Sequence, residues 1–245
     1  MRTRRFCRID KTGCIACGGR TFEGRAVIDD ALASAWGLSA QERADFDERE
    51  GQACTTCQMS KRVRMLLWSI RRLFPVSSNL QVLHFNQINH LSGALRGLGA
   101  VTETCFQEGV ERGATANGLV NEDICALTLP DQFFDLAIHS ETLEHLFSFN
   151  RALSEVGRVL KPGGIQIYTV PLIHNRSTRQ RMRQTPDDGA VPLLPPSFHG
   201  NEGEFPVVWE FGGDFFEQRK HKISELHYDN YWQNRTVFTV VERKP

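Results

Sequence analysis

Four of the seven cysteines in this chain form two C-x2-C pairs, "CIAC" and "CTTC", which contain Cys14, Cys17, Cys54 and Cys57. Each such turn places two thiolates on one side of a metal ion, so two turns together complete a tetrahedral zinc site. A shell closed by four protein ligands leaves no position for a substrate, and we therefore expect this zinc to be structural. Reduced cysteines without a metal and redox chemistry are the alternatives.

A second set of polar residues follows the run "QVLHF", which reads as a buried strand. The turn after it contains Asn86 and Asn89 where a nucleotide-binding turn usually carries glycines. Asparagine adopts left-handed backbone conformations more readily than most residues, and its amide donates hydrogen bonds. We expect both asparagines to contact a bound small molecule; capping of the next helix is the alternative.

A third set lies in residues 174–210, a long segment rich in histidine and arginine. His199, in "FHGN", is a candidate general base, and a hydrogen bond that anchors the loop is the alternative. Arginine side chains suit acidic or phosphate-bearing ligands, although these could equally form a solvated lid. The segment contains His174, Arg176, Arg179, Arg181, Arg183 and His199.

The elements that must position these residues alternate between strand and helix from residue 80 onward. The pattern predicts an α/β fold with a Rossmann-like, doubly wound, mostly parallel sheet closed by a C-terminal antiparallel hairpin. In such sheets, ligands bind at the carboxyl ends of the strands. The predicted strands are "VLHF", "AVTETCF", "GLVNED", "FDLAIHS" and "IQIYTVP", the amphipathic helix is "NRALSEVGRVL", and the hairpin is "KISELHYDN" with "RTVFTVVERK".

The N-terminal part has a different organisation. Between the cysteine pairs, "DDALASAWGLSAQERADFDER" predicts one or two short helices. The next helix, "KRVRMLLWSIRRLF", has an apolar stripe that we expect to pack the zinc-binding segment onto the sheet. We divide the chain into a zinc-binding segment with its connecting helix (1–74) and a second domain (75–245) that carries the insertion 174–210. The stripe consists of Val63, Leu66, Leu67, Ile70 and Phe74.

Composition is that of an ordinary globular protein, with 40% hydrophobic and 24% charged residues. The net charge is zero, but residues 1–74 carry 14 lysines and arginines against 9 acidic residues. This excess can attract phosphate or nucleic acid, although a solvated surface explains it equally well. The sequence lacks a long apolar run and a signal-like start, so we expect a cytoplasmic protein without a membrane partner.

Two segments, "NEDICALTLPDQFFDLAIHSETLEHL" and "RVLKPGG", resemble the later motifs of class I S-adenosylmethionine-dependent methyltransferases of the type 11-like group. The similarity covers roughly residues 80–173 and continues to residue 245. A subgroup with two C-x2-C knuckles, a first strand ending in "LHF" and a late "HGN" segment is similar along nearly the whole chain. The resemblance implies a seven-stranded sheet and S-adenosyl-L-methionine as cofactor, and it makes the glycine-poor turn a feature of the subgroup.

The resemblance also implies roles for individual residues. Glu103 would accept both ribose hydroxyls, and Asp123 would accept the adenine amino group with Ile124 beside the ring; a strand-end charge and a turn cap are the alternatives. His139 and Ser140 would line the mouth near the sulfonium, with His139 as a second catalytic candidate. The expected cofactor contacts are His84, Phe85, Asn86, Asn89, Glu103, Asp123, Ile124, His139 and Ser140.

The function implied by the resemblance is methyl transfer to a small-molecule or sugar-type acceptor, including nucleotide-activated sugars, because the subgroup occurs among genes for surface polysaccharide and secondary metabolism. An RNA methyltransferase is one alternative, favoured by the basic N-terminal part and disfavoured by the lack of a dense basic run with interleaved aromatics. A scaffold that has lost its cofactor is another. Glu144 and His145, in "LEHL", are expected to support the site rather than to catalyse. The sequence does not predict the oligomeric state.

Overall fold

The computed structural model of this protein describes residues 5–8, 13–75, 79–88, 90–187, 189–199, 205–229 and 236–245; of residues 5–8 and 199 it describes the backbone. Its helices are α1 (Asp30–Trp36), α2 (Ala40–Glu50), α3 (Lys61–Leu73), α4 (Leu91–Arg96), α5 (Phe149–Val159) and α6 (Phe215–Gln218), and a 3-10 turn covers Leu143–His145. Its strands are β1 (Arg5–Arg8), β2 (Phe22–Glu23), β3 (Ala53–Cys54), β4 (Leu80–Phe85), β5 (Gly99–Cys105), β6 (Thr115–Ala116), β7 (Leu119–Asn121), β8 (Phe134–Ser140), β9 (Leu160–Thr169), β10 (Leu172–Ile173), β11 (Arg179–Gln180), β12 (Met182–Gln184), β13 (Ala190–Pro192), β14 (Phe198–His199), β15 (Phe205–Pro206), β16 (Trp209–Gly212), β17 (Ile223–Tyr228) and β18 (Phe238–Arg243).

The central sheet has nine strands in the order β1-β17-β18-β9-β8-β4-β5-β7-β6. From β9 through β8, β4 and β5 to β7 the neighbours are parallel, whereas β18 is antiparallel to both β9 and β17. The predicted doubly wound, mostly parallel sheet with its C-terminal antiparallel hairpin is therefore confirmed. It has two strands beyond the expected seven, because β1 pairs with β17 at one edge and β6 with β7 at the other.

An apolar core covers each face of this sheet. On one face, α5 and α6 pack against β4, β8 and β9, with Leu153 and Leu83 both buried in that core. On the other face, α3 and α4 pack against the same strands, with Leu66 and Val82 fully buried. Neighbouring residues of β4 are buried in the cores on opposite faces of the sheet. Because both faces are buried, the sequence of this strand is a nearly continuous apolar run. Loss of a side chain such as Leu66 would cost about 2–5 kcal/mol.

The N-terminal helices form where the sequence predicts them. The side chains of Asp29, Ser39 and Ser60 cap α1, α2 and α3, and Ser39 forms a capping box with Glu42. Residues of the first cysteine turn pack against the core that α3 shares with the sheet, so α3 joins the cysteine-containing segment to the sheet as expected. The division of the chain at residue 75 stays a prediction.

Short strands make up the long segment after β9. They form three small sheets, β10-β16-β11, β12-β13 and β14-β15. Ile173 and Val207 of this segment share a third apolar core with Ile28, Trp36 and Phe46, which come from α1, α2 and the loop before them. The insertion and the N-terminal helices therefore pack together. Among the described residues, no helix is long and apolar enough to cross a membrane.

Candidate functional site

The four cysteines of the C-x2-C pairs come together in space. Their Sγ atoms all lie within 4.8 Å of one another, and the Cys14–Cys57 and Cys17–Cys54 pairs are each 3.6 Å apart. Tetrahedral zinc with Zn–S bonds of about 2.3 Å requires S···S separations of about 3.8 Å. The backbone N–H groups of Cys57 and Thr56 lower the pKa of the Cys54 thiol and favour its thiolate. The donor set and its spacing are compatible with zinc.

The two cysteine turns share one backbone geometry. Gly18 and Gln58 each follow the second cysteine of a pair, with φ of 75° and 59°. Their N–H groups donate to the carbonyls of Cys14 at 2.7 Å and Cys54 at 2.8 Å. A Cβ on Gly19 would lie only 3.1 Å from the Sγ of Cys54, so a larger residue there would push the turns apart. Both turns are therefore shaped to converge on one point.

The turn after β4 is left-handed although it has no glycine. φ is 59° at Asn86, 33° at Gln87 and 69° at His90, a region that non-glycine residues seldom adopt. Because the chain is still left-handed at His90, α4 begins only at Leu91. The left-handed conformation expected of asparagine is present at Asn86, whereas Asn89 lies outside the described residues.

His84, near the end of β4, holds this turn from within the core. It is fully buried, and its Nε2 accepts a hydrogen bond from the N–H of Ile88 at 3.2 Å. Burial lowers the pKa of His84 to about 4, so the ring is neutral at pH 7 with its proton on Nδ1. Nδ1 lies 3.9 Å from Oε1 of Glu103. The hydrogen bond to Ile88 therefore ties the turn to β4, whereas 3.9 Å is too long for a hydrogen bond to Glu103.

Glu103 lies near the carboxyl end of β5, opposite His84 in the strand register. Its carboxylate accepts hydrogen bonds from Nε2 of Gln87 at 3.2 Å and Nη2 of Arg96 at 3.5 Å. Burial opposes ionisation, but the hydrogen bonds from Gln87 and Ser92 and the charge of Arg96 outweigh it and lower the pKa of Glu103. An ionised carboxylate therefore stands beside the turn.

Asp123 and Ile124 lie in the turn after β7, the next strand along the sheet. The Asp123 carboxylate accepts the N–H of Cys125 at 2.8 Å, so it caps its own turn in this structure. Ile124 is buried in the core that α5 covers. Asn86 reaches towards the other half of the sheet, where its Nδ2 donates to Oγ1 of Thr142 at 3.2 Å. These side chains lie at the carboxyl ends of neighbouring strands.

His139 is fully buried between two aromatic rings. It stacks on Tyr168 with centroids 4.8 Å apart and meets Phe85 edge-on at 6.3 Å. Desolvation, with a smaller effect from a nearby arginine, lowers its pKa to about 3, and neither ring nitrogen has a hydrogen-bond partner among the described residues. The next residue, Ser140, is less buried and shares a hydrogen bond with Oγ1 of Thr169 at 2.7 Å.

Arginines of the insertion bind the N-terminal helices. Arg176 pairs with Glu42 at 2.8 Å and donates to the carbonyl of Trp36 at the end of α1. Arg181 is fully buried, pairs with Glu210 and also donates to a carbonyl of α1. These contacts fix the insertion onto α1 and α2, so the two arginines give no support to a phosphate-bearing acceptor.

The histidine candidates of the insertion are less well defined. His199 is part of β14, which pairs with β15, and its side chain lies outside the described residues. Burial lowers the pKa of His174 to about 4, and its ring lies 5.1 Å from that of Phe238. His174 is therefore a neutral packing residue at pH 7.

The sequence did not predict a group of charged side chains beyond β8, of which some are fully and others partly buried. Arg62 lies 3.3 Å from Glu141 and 3.2 Å from Glu50, which also pairs with Arg49 at 2.7 Å. Glu144 is fully buried, and its carboxylate has no hydrogen bond among the described residues; burial, and then the charge of Glu141, raise its pKa well above the ordinary value. Of this group, the sequence indicates only Glu144, which the motif "LEHL" predicts to support the site.

The order of the central sheet is that of the doubly wound, mostly parallel sheet that the sequence motifs predict. Comparison with known proteins agrees: residues 94–168 match the family described as "Methyltransferase domain". The chain therefore carries a methyltransferase domain together with a four-cysteine cluster. The matched region begins after the glycine-free turn.

Individual relatives are distant. A protein of Mycolicibacterium smegmatis named "Probable S-adenosylmethionine-dependent methyltransferase" is 36% identical over 64 residues, which are 26% of this chain and 24% of that relative's length. A solved S-adenosylmethionine-dependent methyltransferase from Mesorhizobium loti has 16% identity and a TM-score of 0.44, covering 73% of this chain and 97% of that one. The [4+2]-cyclase SpnF has 13% identity and a TM-score of 0.49, covering 76% and 82%.

Proposed function

We propose that this protein transfers the methyl group of S-adenosyl-L-methionine to a small-molecule or sugar-type acceptor. The observation that carries the proposal is the ionised carboxylate of Glu103 beside a left-handed turn, at the carboxyl edge of a methyltransferase-type sheet. Ligands of doubly wound sheets bind at this edge. The match of residues 94–168 to a methyltransferase domain supports the proposal.

The side chains at this edge have the chemistry that the cofactor needs. A carboxylate at Glu103 offers two acceptor oxygens to a ribose diol, and Asp123 offers an acceptor to the adenine amino group. The amides of Asn86 and Gln87 are donors for the amino-acid carboxylate. Because the cofactor has no pyrophosphate, the backbone need not approach one closely, and glycine is not required. When bound, the cofactor supplies an electrophilic methyl group on a sulfonium.

Structural zinc at Cys14, Cys17, Cys54 and Cys57 forms part of the same proposal. Four thiolates close the coordination shell, so the ion would stabilise the fold and take no part in methyl transfer. The cysteine turns contact the α3 core, and α3 in turn covers one face of the sheet. The metal would therefore support the scaffold behind the site rather than the reacting groups.

The acceptor must be aligned in line with the methyl group and must lose a proton if it attacks through O–H or N–H. His139 is neutral and sealed between aromatic rings, which suits a wall of the site better than a proton carrier. His199 remains a candidate base in the insertion. Arg176 and Arg181 of the insertion are each paired with a carboxylate. We therefore favour an uncharged acceptor over a phosphorylated one.

Calorimetric titration of zinc-replete protein with S-adenosylhomocysteine tests the proposal. We expect micromolar binding, about −8 kcal/mol. Asp123→Ala should weaken binding at least tenfold with little change in melting temperature, whereas Asp187→Ala, at an exposed position of the insertion, should leave both unchanged. Absence of binding to the wild-type protein would contradict the proposal and favour a scaffold. Co-purifying RNA released steeply by salt would favour an RNA substrate instead.

A further inference from the structure

A small polar cavity lies at the carboxyl ends of β8 and β9, where α2 and α3 cover the sheet. Its volume is about 10 Å³, which is room for one group the size of a water molecule. Side chains of both charges line it together with apolar residues. The polar lining consists of Arg49, Glu50, Arg62, Glu141, Thr169 and Thr236.

Glu141 is held in this cavity by an unusual backbone. Its φ is 49°, in the left-handed region that a glutamate seldom adopts, and such residues concentrate at functional sites. Its N–H donates to the carbonyl of Thr169 at 3.3 Å, and Oγ1 of Thr169 donates to its carboxylate at 2.9 Å. Arg62 lies 3.3 Å from the other carboxylate oxygen. The carboxylate is therefore fixed from both sides.

The cavity adjoins the edge where the cofactor is proposed to bind. Thr142, the residue after Glu141, accepts the hydrogen bond from Asn86 of the left-handed turn. Ser140, the residue before it, shares a hydrogen bond with Thr169, which lines the cavity. The sheet order reverses between β4 and β8, so the turn and the cavity lie on the two sides of the switch point.

We infer that this cavity receives the nucleophilic hydroxyl or amino group of the methyl acceptor and that Glu141 accepts its proton. The inference rests on the proposed function. The lone pair of the acceptor oxygen or nitrogen forms the bond to the methyl carbon while the carbon–sulfur pair returns to sulfur. The acceptor proton passes to the Glu141 carboxylate and then to water, leaving methylated acceptor and S-adenosylhomocysteine. The charges of two arginines and two glutamates cancel in the cavity lining. The acceptor group that enters the cavity is therefore uncharged.

The electrostatics of the cavity agree with this role. Burial raises the pKa of Glu141 to about 7, and the charge of Glu50 raises it further. The charges of Arg62 and Arg49 and the hydrogen bond from Thr169 oppose this rise. A carboxylate that titrates near neutral pH exchanges protons efficiently there. Glu144 faces the same group of charges, and burial, followed by the charge of Glu141, raises its pKa well above the usual range.

Sinefungin tests whether Glu141 faces the methyl position, because this cofactor analogue carries a primary ammonium in place of the methylated sulfonium. The measured quantity is the ratio of the Kd of S-adenosylhomocysteine to that of sinefungin, at pH 8 where Glu141 is ionised. We expect sinefungin to bind at least tenfold more tightly to the wild-type protein. Glu141→Gln should remove that preference and leave S-adenosylhomocysteine binding within twofold. Between pH 8 and pH 6 the preference should decline only where residue 141 carries a carboxyl group.

Glu217→Gln is the matched control, since that side chain is 67% exposed on the short helix α6. Its ratio should equal that of the wild type. Glu141→Asp keeps the charge and serves as the second variant if Glu141→Gln lowers the melting temperature; it should retain part of the preference and all of its pH dependence. An unchanged ratio in Glu141→Gln, with normal S-adenosylhomocysteine binding, overturns the inference alone. Failure of the wild type to bind either compound overturns the proposed function as well.

Discussion

At the scale of single residues, side-chain contacts replace glycine in the turn after β4. A non-glycine residue in the left-handed region costs about 1–2 kcal/mol, and this turn contains three such residues. Hydrogen bonds of about 0.5–1.5 kcal/mol each oppose that cost. They come from the amides of Asn86 and Gln87 and from the ring of His84. The two sums are of similar size, so the turn depends on these side chains.

His84→Phe tests this dependence. The substitution keeps an aromatic ring in the core but removes the acceptor of the Ile88 N–H, and an unmet backbone donor costs about 1–3 kcal/mol. We expect the Kd for S-adenosylhomocysteine to rise about tenfold, measured by calorimetry at pH 7.5. His221→Phe, at an exposed position, should leave the Kd unchanged. Equal affinities of His84→Phe and the wild type would mean that the turn does not need this bond.

At the scale of elements, periodic segments could be predicted and segments fixed by distant contacts could not. The apolar stripes of α3 and α5 and the apolar runs of β4 and β8 specify their own elements, because one face or both must be buried. Strands of two to four residues in the insertion have no measurable period. Their positions depend on contacts such as that between Arg181 and Ala35, 146 residues apart in sequence. Spacing alone could not reveal that contact.

The same reasoning applies to the site. The four-cysteine cluster could be predicted from local spacing, because each C-x2-C pair forms a tight turn of its own. Glu103 could be placed at a strand end because the strand before it was visible. The cavity at Glu141 was missed because Arg49 and Arg62 approach it from helices that precede the sheet in sequence. The sequence position of a charged residue on a helix does not indicate which residue it will contact in the folded protein.

Cys54→Ser tests the zinc-binding segment as an element. Loss of one thiolate should abolish stoichiometric zinc and destabilise the N-terminal part, because metal binding and folding are coupled in such segments. Zinc content by atomic absorption and melting temperature by calorimetry are the measurements. Cys105→Ser is the control, since Cys105 lies at the end of β5 outside the four-cysteine cluster. Unchanged zinc content in Cys54→Ser would contradict the metal assignment.

At the scale of the whole molecule, buried titratable groups act in opposite directions on stability. Burial lowers the folded-state pKa of His84 and His174 to about 4 and of His139 to about 3, so protonation of the unfolded chain destabilises the fold as pH falls below 6.5. Burial raises the pKa of Glu141 to about 7, so the folded state gains from its proton between pH 7 and 4.5. Below pH 4.5 the stabilisation by Glu141 no longer increases. Arg176 lowers the pKa of Glu42 to about 2, so protonation of Glu42 in the unfolded chain then reduces stability further.

We therefore expect the free energy of unfolding to fall more steeply with pH below 4.5 than above it. Urea denaturation at several pH values from 7.5 to 3.5 measures this slope, with zinc content checked in each sample because acid also releases metal from thiolates. Glu141→Gln lacks the opposing contribution, so its stability should decline sooner as the pH falls from 7. The steepest loss between pH 6.5 and 5 in the wild type would show that the histidines dominate.

The pairing of β1 with β17 has a consequence for how the chain is made. β1 is at residues 5–8 and its parallel neighbour spans residues 223–228, so almost the whole chain separates the two partners. A ribosome releases β1 long before β17 has been translated, and the intervening parts can collapse first. The cysteine turns and α3 are thus available to fold early, while β1 at the edge of the sheet must wait for its partner. Pairing at that edge can be completed only after residues 223–228 have been translated.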